Sequence, residues 1–388
     1  MLTFIIGKAN SGKSKQAEKE AVNSQGINRY YLATMKIYDK EGELRVQRHR
    51  ALRKDKGFIT LECPYDIKKT LSLMEEPDKS TLLLECAANL AGNELYENPL
   101  NRELMDRLKK EKAPDRIHFL LQSLAEKIEE DIDYLNNRVK DLLVVSSIYE
   151  ESPNMDNMTL VYIRLLNMIN EHLKNKADRV IRTGRCILLR HGKTDGNLEK
   201  RYEGCATDRP LNSSDIKCME KLKENIGRFM LTKSVIVSSP LKRACETAGF
   251  LFGDCDIKKA DGLKEIDFGV FEGKTYEELK DNEAYIHFLN TQGDCDIPGG
   301  ESRTSFIERS MKAFCDIVLQ RNINDIFIVC HGGNIMAIMS SLLCKDYYDF
   351  WVDNLDGYIL DLVVDDEKIL DFTYDRIGDR LSYGSSDR

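Results

Sequence analysis

Two short stretches hold residue types suited to phosphate chemistry. "GKANSGKS", Gly7 to Ser14, fits G-x-x-x-x-G-K-[ST] in full. Gly7 and Gly12 let the main chain bend, so that the N–H groups along Lys8, Ala9, Asn10 and Ser11 face phosphate oxygens. A helix that follows presents its positive end to the same oxygens. In such a loop Lys13 reaches the β- and γ-phosphates and the Ser14 hydroxyl holds Mg2+. "LLLEC" puts Glu85 at a strand tip, where a metal-associated acid belongs. His49 stands among Arg45, Arg48, Arg50 and Arg53. Cations neutralise charge developing on an attacked phosphate, and a neutral imidazole is a competent nucleophile.

The second stretch, "CILLRHGKTDGN", places Arg190 and His191 directly behind an apolar run. "SSPLKRACETA" adds Arg243 near a helix start, "LKEIDFGVFEG" adds Glu265, and "IVCHGGN" adds His331 at another strand end. Guanidinium forks match phosphate oxygens bidentately. Cationic neighbours depress the pKa of His191 and keep it neutral for attack. His331 can donate to phosphoryl oxygens, and Glu265 is the natural acid for a leaving alkoxide.

Alternating strands and helices must position both sets. Residues 2–6, 28–34, 80–86, 141–145 and 178–183 read as strands, and 13–22, 116–138 and 159–177 as helices. Residues 97–115 read as a loop or short helical excursion. A second series runs through strands at 185–190, 233–239 and 325–333, with helices after Pro240 and over 301–321. This is α/β architecture with a mainly parallel sheet, divided into domains at 1–184 and 185–388. A length of 388 residues suits two cores. His118, His172 and His287 read as packing or surface residues.

A formal charge of −8 argues against nucleic acid or anionic membrane as a partner. Eleven scattered cysteines without a C-x-x-C pair suit reduced thiols rather than disulfides or zinc. With no long apolar stretch and a strand beginning at residue 2, a cytoplasmic location and no membrane span are expected.

Residues 1–184 resemble the adenosylcobinamide kinase/adenosylcobinamide-phosphate guanylyltransferase family, which has a P-loop NTPase-like fold. The resemblance lies in the P-loop, Tyr31-Leu32-Ala33-Thr34, Asp39, Glu43, the Arg45…His49-Arg50…Arg53 block, Thr60-Leu61-Glu62 and the Glu85 strand. It implies that His49 attacks the α-phosphate of GTP and carries GMP to cobinamide phosphate. It also implies that GTP or ATP serves a kinase step, with Thr34, Arg50, Arg53 and Glu62 joining the nucleotide contacts. This family tends to assemble into homo-oligomers through the P-loop domain. After "DLLVV" the family usually has Asn-Glu-Val-Gly, whereas this chain has Ser146-Ser147-Ile148-Tyr149.

Residues from 185 to about 375 resemble the histidine phosphatase (phosphoglycerate mutase-like) superfamily, a three-layer α/β/α fold. "RHGKTDGN", "RYEGCATDRPLN", "SSPLKRACETA", "EIDFGVFEG", "PGGES" and "CHGG" follow in family order. The resemblance adds Asn197 to the phosphate contacts and implies catalysis through phosphohistidine with no cofactor. A cobinamide-activating domain joined to such a phosphatase points to α-ribazole phosphate, or the assembled cobalamin phosphate, as substrate. Two alternatives stand beside this. One is a 6-phosphofructo-2-kinase/fructose-2,6-bisphosphatase-like enzyme. The other is a non-catalytic nucleotide-binding module fused to an active phosphatase.

Overall fold

The computed structural model describes residues 1–36, 40, 44, 47, 53–152, 154–227, 234–253, 255–320 and 325–378. The chain divides into two compact units. Met1–Thr183 and Val363–Asp366 form the first; Gly184–Leu362 and Glu367–Arg388 form the second.

In the first unit the strands are β1 (Leu2–Gly7), β2 (Arg29–Ala33), β3 (Phe58–Glu62), β4 (Thr81–Glu85), β5 (Asp141–Ser147) and residues 179–183 of β6 (Arg179–Arg190). They lie in the order β3-β2-β4-β5-β1-β6, all in parallel pairs. Every residue of β1 is buried, as a central parallel strand covered on both faces requires. The helices are α1 (Lys13–Asn23), α2 (Ala87–Tyr96), α3 (Arg102–Leu108), α4 (Pro114–Asn136) and α5 (Asn157–Lys176). Helix α4 begins with Pro114 at its first turn and buries Ile117, Leu121, Leu124, Ala125, Ile128, Ile132 and Leu135. That spacing is one apolar stripe of a 3.6-residue period. The expected short helical excursion over 97–115 is α3 with a 3-10 turn before it.

The second unit contains residues 185–190 of β6, then β7 (Val235–Ser238), β8 (Ile257–Lys259), β9 (Asp325–Cys330), β10 (Gly357–Val364) and β11 (Ile369–Arg376). The order β6-β9-β7-β8 is again parallel, and β10 pairs with β6 and β11. Besides two four-residue helices, Asp195–Leu198 and Tyr276–Leu279, its described helices are α6 (Ile216–Gly227), α7 (Lys242–Phe252), α8 (Glu283–Asn290), α9 (Arg303–Val318) and α10 (Gly332–Leu343). Ala244, Ala248, Leu251 and Phe252 of α7 pack with Ile187, Leu189, Phe327 and Val329 of the strands. A second cluster gathers Ile266, Phe271, Tyr285, Ile297 and Phe306. The strand expected over 325–333 stops at Cys330, because His331 is already the N-cap of α10. The α/β class with a mainly parallel sheet holds in both units.

Strand β10 approaches β6 so closely that a Cβ on Gly357 would lie 1.8 Å from the Leu188 carbonyl oxygen. Main chain cannot swing aside as a flexible side chain can. Gly357→Ala is expected to cost about 3 kcal/mol and to lower the melting midpoint of the second unit by roughly 5–10 °C. Scanning calorimetry checks this, and an unchanged midpoint would contradict the close approach.

Candidate active sites

The first site forms where β1 and β4 end, at the carboxyl edge of a parallel sheet where such folds place ligands. The loop leaving β1 turns at Asn10 (φ 59°) and Gly12 (φ 83°), both left-handed, and enters α1 at Lys13. A Cβ on Gly7 would meet Thr183 Oγ1 at 2.0 Å and Ser11 Oγ at 2.6 Å. Glycine is therefore required where the loop folds back over β6. Ser11 locks that fold by bonding the Lys8 carbonyl at 2.7 Å and the Thr183 hydroxyl at 2.5 Å.

Lys13 is buried and donates to the Lys8 carbonyl at 2.9 Å. Burial pushes its pKa below the usual lysine value, with Cys86 and Glu85 acting the other way. The Ser14 hydroxyl donates to Glu85 Oε1 at 2.7 Å, whereas Glu85 Oε2 is buried with no hydrogen-bond partner. Burial pushes the Glu85 carboxyl up to about 7, against the Ser14 bond and the Lys13 charge. A hydroxyl and a carboxylate with one uncommitted oxygen suit Mg2+, which binds through one or two protein oxygens and keeps several waters. The residues present fit the ion the family implies.

Arg53 is buried, its guanidinium carbon 3.5 Å from the Tyr31 ring centroid, and its Nη1 has no hydrogen-bond partner. It lies within charge range of Glu85. Glu62 is exposed at the end of edge strand β3. Thr34 departs from the nucleotide-contact expectation. It is fully buried, and its hydroxyl bonds the carbonyls of Glu85 and Cys86 at 3.0 Å each and accepts from the Cys86 N–H at 2.8 Å. Its capacity is spent shaping the strand end beneath Glu85. Ser146 and Ser147 replace the family's usual residues here. The Ser146 hydroxyl meets Asn170 Oδ1 at 2.6 Å, and Asn170 returns a bond to the Ser147 carbonyl at 3.1 Å. His49 and Arg50, with Arg45 and Arg48, lie outside the described residues.

The second site is built by register. Arg190 pairs with Cys330 across β6 and β9, so the residues that follow, His191 and His331, emerge side by side. Their ring centroids are 5.0 Å apart. The His191 Nδ1–H donates to the Gly192 carbonyl at 2.6 Å. A carbonyl can only accept, so the proton is on Nδ1 and the lone pair on Nε2. Arg243 Nε donates to that Nε2 at 3.2 Å. Burial, then Arg243 and Arg190, holds the His191 pKa well below the usual histidine value. Burial and the same arginines act likewise on His331. His331 Nε2 meets the Ser239 hydroxyl at 2.8 Å, and its Nδ1 is buried without a partner.

Arg243 is fully buried yet bonds only uncharged acceptors besides His191: the carbonyls of Thr207 (2.7 Å), Gly204 (3.1 Å) and Glu203 (3.3 Å). Arg190 donates to the Val352 carbonyl at 2.7 Å, and its Nε has no partner. Glu265 accepts from the N–H groups of Ile266 (3.0 Å) and Gly333 (3.2 Å), and burial raises its pKa from the ordinary glutamate value, against those bonds and the nearby arginines. A Cβ on Gly333 would sit 2.2 Å from Glu265 Oε1, so that glycine makes room for the acid. Asn197 bonds Glu203 at 3.2 Å. The structure thus brings together Arg190, His191, Asn197, Arg243, Glu265 and His331.

Four supporting residues fall outside the sequence-derived set. Asn354 holds the His191 carbonyl at 3.0 Å and Asn197 at 3.1 Å, and no motif marks it. Ser239 and Glu203 lie inside quoted motifs without a role of their own. Glu272, in "FEG", accepts from the Gly204 N–H at 3.0 Å, the Thr207 hydroxyl at 2.6 Å and the Ala206 N–H at 3.3 Å. It therefore fixes the same loop whose carbonyls hold Arg243.

A pocket of paired imidazoles and paired arginines with a buried acid, at the ends of parallel strands, is suited to phosphate-ester chemistry. Residues 186–370 match the histidine phosphatase superfamily (branch 1), and the chain belongs to that superfamily. A metal-independent phosphoserine phosphatase of Arabidopsis thaliana is 34% identical over 158 residues, 39% of this chain and 66% of that protein. Phosphoserine phosphatase 1 of Hydrogenobacter thermophilus is 31% identical over 170 residues, 42% of this chain and 79% of that protein. The solved α-ribazole phosphatase of Shigella flexneri is 24% identical with a TM-score of 0.43, covering 46% of this chain and 90% of that one. Residues 3–189 match the cobinamide kinase/cobinamide phosphate guanyltransferase family. The protein is thus a kinase/guanyltransferase-family transferase joined to a phosphatase of the histidine superfamily.

The loop held by Glu272 makes that residue a positioning group for Arg243. Glu272→Ala is expected to lower kcat on p-nitrophenyl phosphate by about 100-fold, the cost of a misplacement near 1 Å. KM should stay within about threefold, and Glu272→Gln should restore part of kcat. A proportional change in KM, or no change in kcat, would contradict the role.

Proposed function

We propose that the protein is a bifunctional enzyme of cobalamin nucleotide-loop assembly. Its first unit phosphorylates adenosylcobinamide, then transfers GMP from GTP through His49, which displaces pyrophosphate, to the cobinamide phosphate to give adenosyl-GDP-cobinamide. Its second unit removes phosphate from α-ribazole phosphate through His191. The observation that carries the phosphatase half is the unprotonated Nε2 of His191, set against Arg243 with Glu265 close by. The union with a cobinamide-family domain supports the choice of substrate. That same family match weighs against the sugar-kinase alternative.

In the second unit, His191 Nε2 attacks phosphorus and the ester P–O bond breaks. The Glu265 carboxyl gives its proton to the departing alkoxide. Arg190 and Arg243 neutralise charge on the phosphoryl oxygens, and His331 Nδ1 is available to donate to one of them. Water then attacks the phosphohistidine as Glu265 takes its proton, releasing inorganic phosphate and restoring both residues. In the first unit, the loop N–H groups and Lys13 bind the nucleotide phosphates. Ser14 and Glu85 would hold Mg2+, which supplies charge neutralisation when bound. Arg53 adds a guanidinium with one nitrogen uncommitted.

Incubation with α-labelled GTP should give an acid-labile protein–GMP phosphoramidate. Labelling should vanish in His49→Ala and persist in His191→Ala; a label retained by His49→Ala would refute the transfer route. The Glu85 carboxyl at about 7 also sets a pH dependence. Mg2+ needs the ionised form, so Mg–nucleotide affinity should rise about tenfold from pH 6 to pH 8, with proton release. Calorimetry in buffers of different ionisation heat measures this, and Glu85→Gln should abolish the dependence.

A further inference from the structure

Arg190, Asn197 and Glu265 of the phosphate site line a 560 Å³ cavity that also reaches Phe268, Phe288, Tyr348 and Trp351. That size is ordinary for a small-molecule site. Phe268 lies within the Glu265 motif, Phe288 on α8, and Tyr348 in a 3-10 turn at Tyr347–Phe350. Two further lining residues, Tyr202 and Arg303, brace these rings. Tyr202 packs edge-on against Phe268 (5.0 Å) and Phe288 (6.3 Å), and its hydroxyl meets that of buried Tyr285 at 2.9 Å. Arg303 donates to the Tyr348 hydroxyl at 3.0 Å and sits 5.1 Å from its ring centroid. The front is open: Trp351, the chain's single tryptophan, is 52% exposed and Tyr348 is 44% exposed.

Rigid aromatic faces held open beside a phosphate site suit a flat apolar group. They do not suit a small zwitterion. The acids on the lining are engaged: Glu203 by Thr194, Asn197 and Arg209, and Glu265 by two main-chain N–H groups. Glu203 Oε1 has no hydrogen-bond partner, but Arg209 Nε stands 3.4 Å from it and pairs its charge, which leaves it a poor partner for a substrate ammonium.

We infer that the wall formed by Phe268, Phe288, Tyr348 and Trp351 is a binding subsite for a flat, uncharged aromatic base. The substrate class is then a ribonucleoside 5′-phosphate rather than a sugar or amino-acid phosphate. This rests on the phosphatase reading above and adds which part of the leaving group is recognised.

Comparing α-ribazole 5′-phosphate with ribose 5-phosphate isolates the base, because both release a primary alkoxide of ribose. The full-length protein should prefer the nucleotide by at least ~30-fold in kcat/KM, within the range for one stacked base. Trp351→Ala should reduce that preference about tenfold. Independently, α-ribazole without its phosphate should quench tryptophan fluorescence saturably, and ribose should not. Equal rates on both substrates, or no quenching, would overturn the subsite and leave the phosphatase reading standing. Hydrolysis of neither substrate, nor of p-nitrophenyl phosphate, would overturn both.

Discussion

The phosphatase site depends on a guanidinium buried without a carboxylate partner. Removing a charge from water costs several kcal/mol unless hydrogen bonds replace its hydration. For Arg243 the replacements are three main-chain carbonyls and an imidazole nitrogen. Carbonyl dipoles satisfy the N–H groups without cancelling the charge. The field that remains adds to burial in holding both imidazoles neutral, and it suits an anionic ligand. A carboxylate salt bridge in the same place would hold the arginine as firmly and erase that field. Glu272 supplies negative charge one layer back, where it secures the loop and not the guanidinium directly.

The nucleotide site treats a carboxylate in a related way. Glu85 is buried with one oxygen bonded to Ser14 and the other uncommitted. Lys13 turns onto the carbonyl of its own loop. Thr34 lies beneath, gripping main chain on both sides of the bond after Glu85. Each site keeps buried polar atoms without hydrogen-bond partners: Arg53 Nη1 and Glu85 Oε2 in the first, Arg190 Nε and His331 Nδ1 in the second.

Much of this was legible in the sequence because the informative residues sit at strand ends, where apolar runs break into "RHG", "CHGG" and "GKANSGKS". Buried parallel strands read as continuous apolar stretches, so β1, β4, β5 and β9 were recognisable. Edge strand β3, whose residues are largely exposed, lacked that signature. Helix α8, short and amphipathic, was equally silent, and with it went the aromatic wall. Arg243, His331 and Glu265 could be named from motif order, but the supports of Arg243 could not. They are carbonyls, and a carbonyl leaves no mark on residue type. Thr34 shows what a motif leaves out: its side-chain bonds close on the main chain of Glu85 and Cys86.

The hydrogen bond from His191 Nδ1 to the Gly192 carbonyl has a kinetic consequence. Where a histidine leans on a carboxylate, the ring becomes more basic and a worse leaving group. Here the partner is a neutral peptide oxygen, and adjacent cations withdraw electron density further. On the phosphohistidine route proposed above, a nitrogen so placed would surrender a phosphoryl group readily to water. Such chemistry suits discarding a phosphate rather than conserving it for a second acceptor.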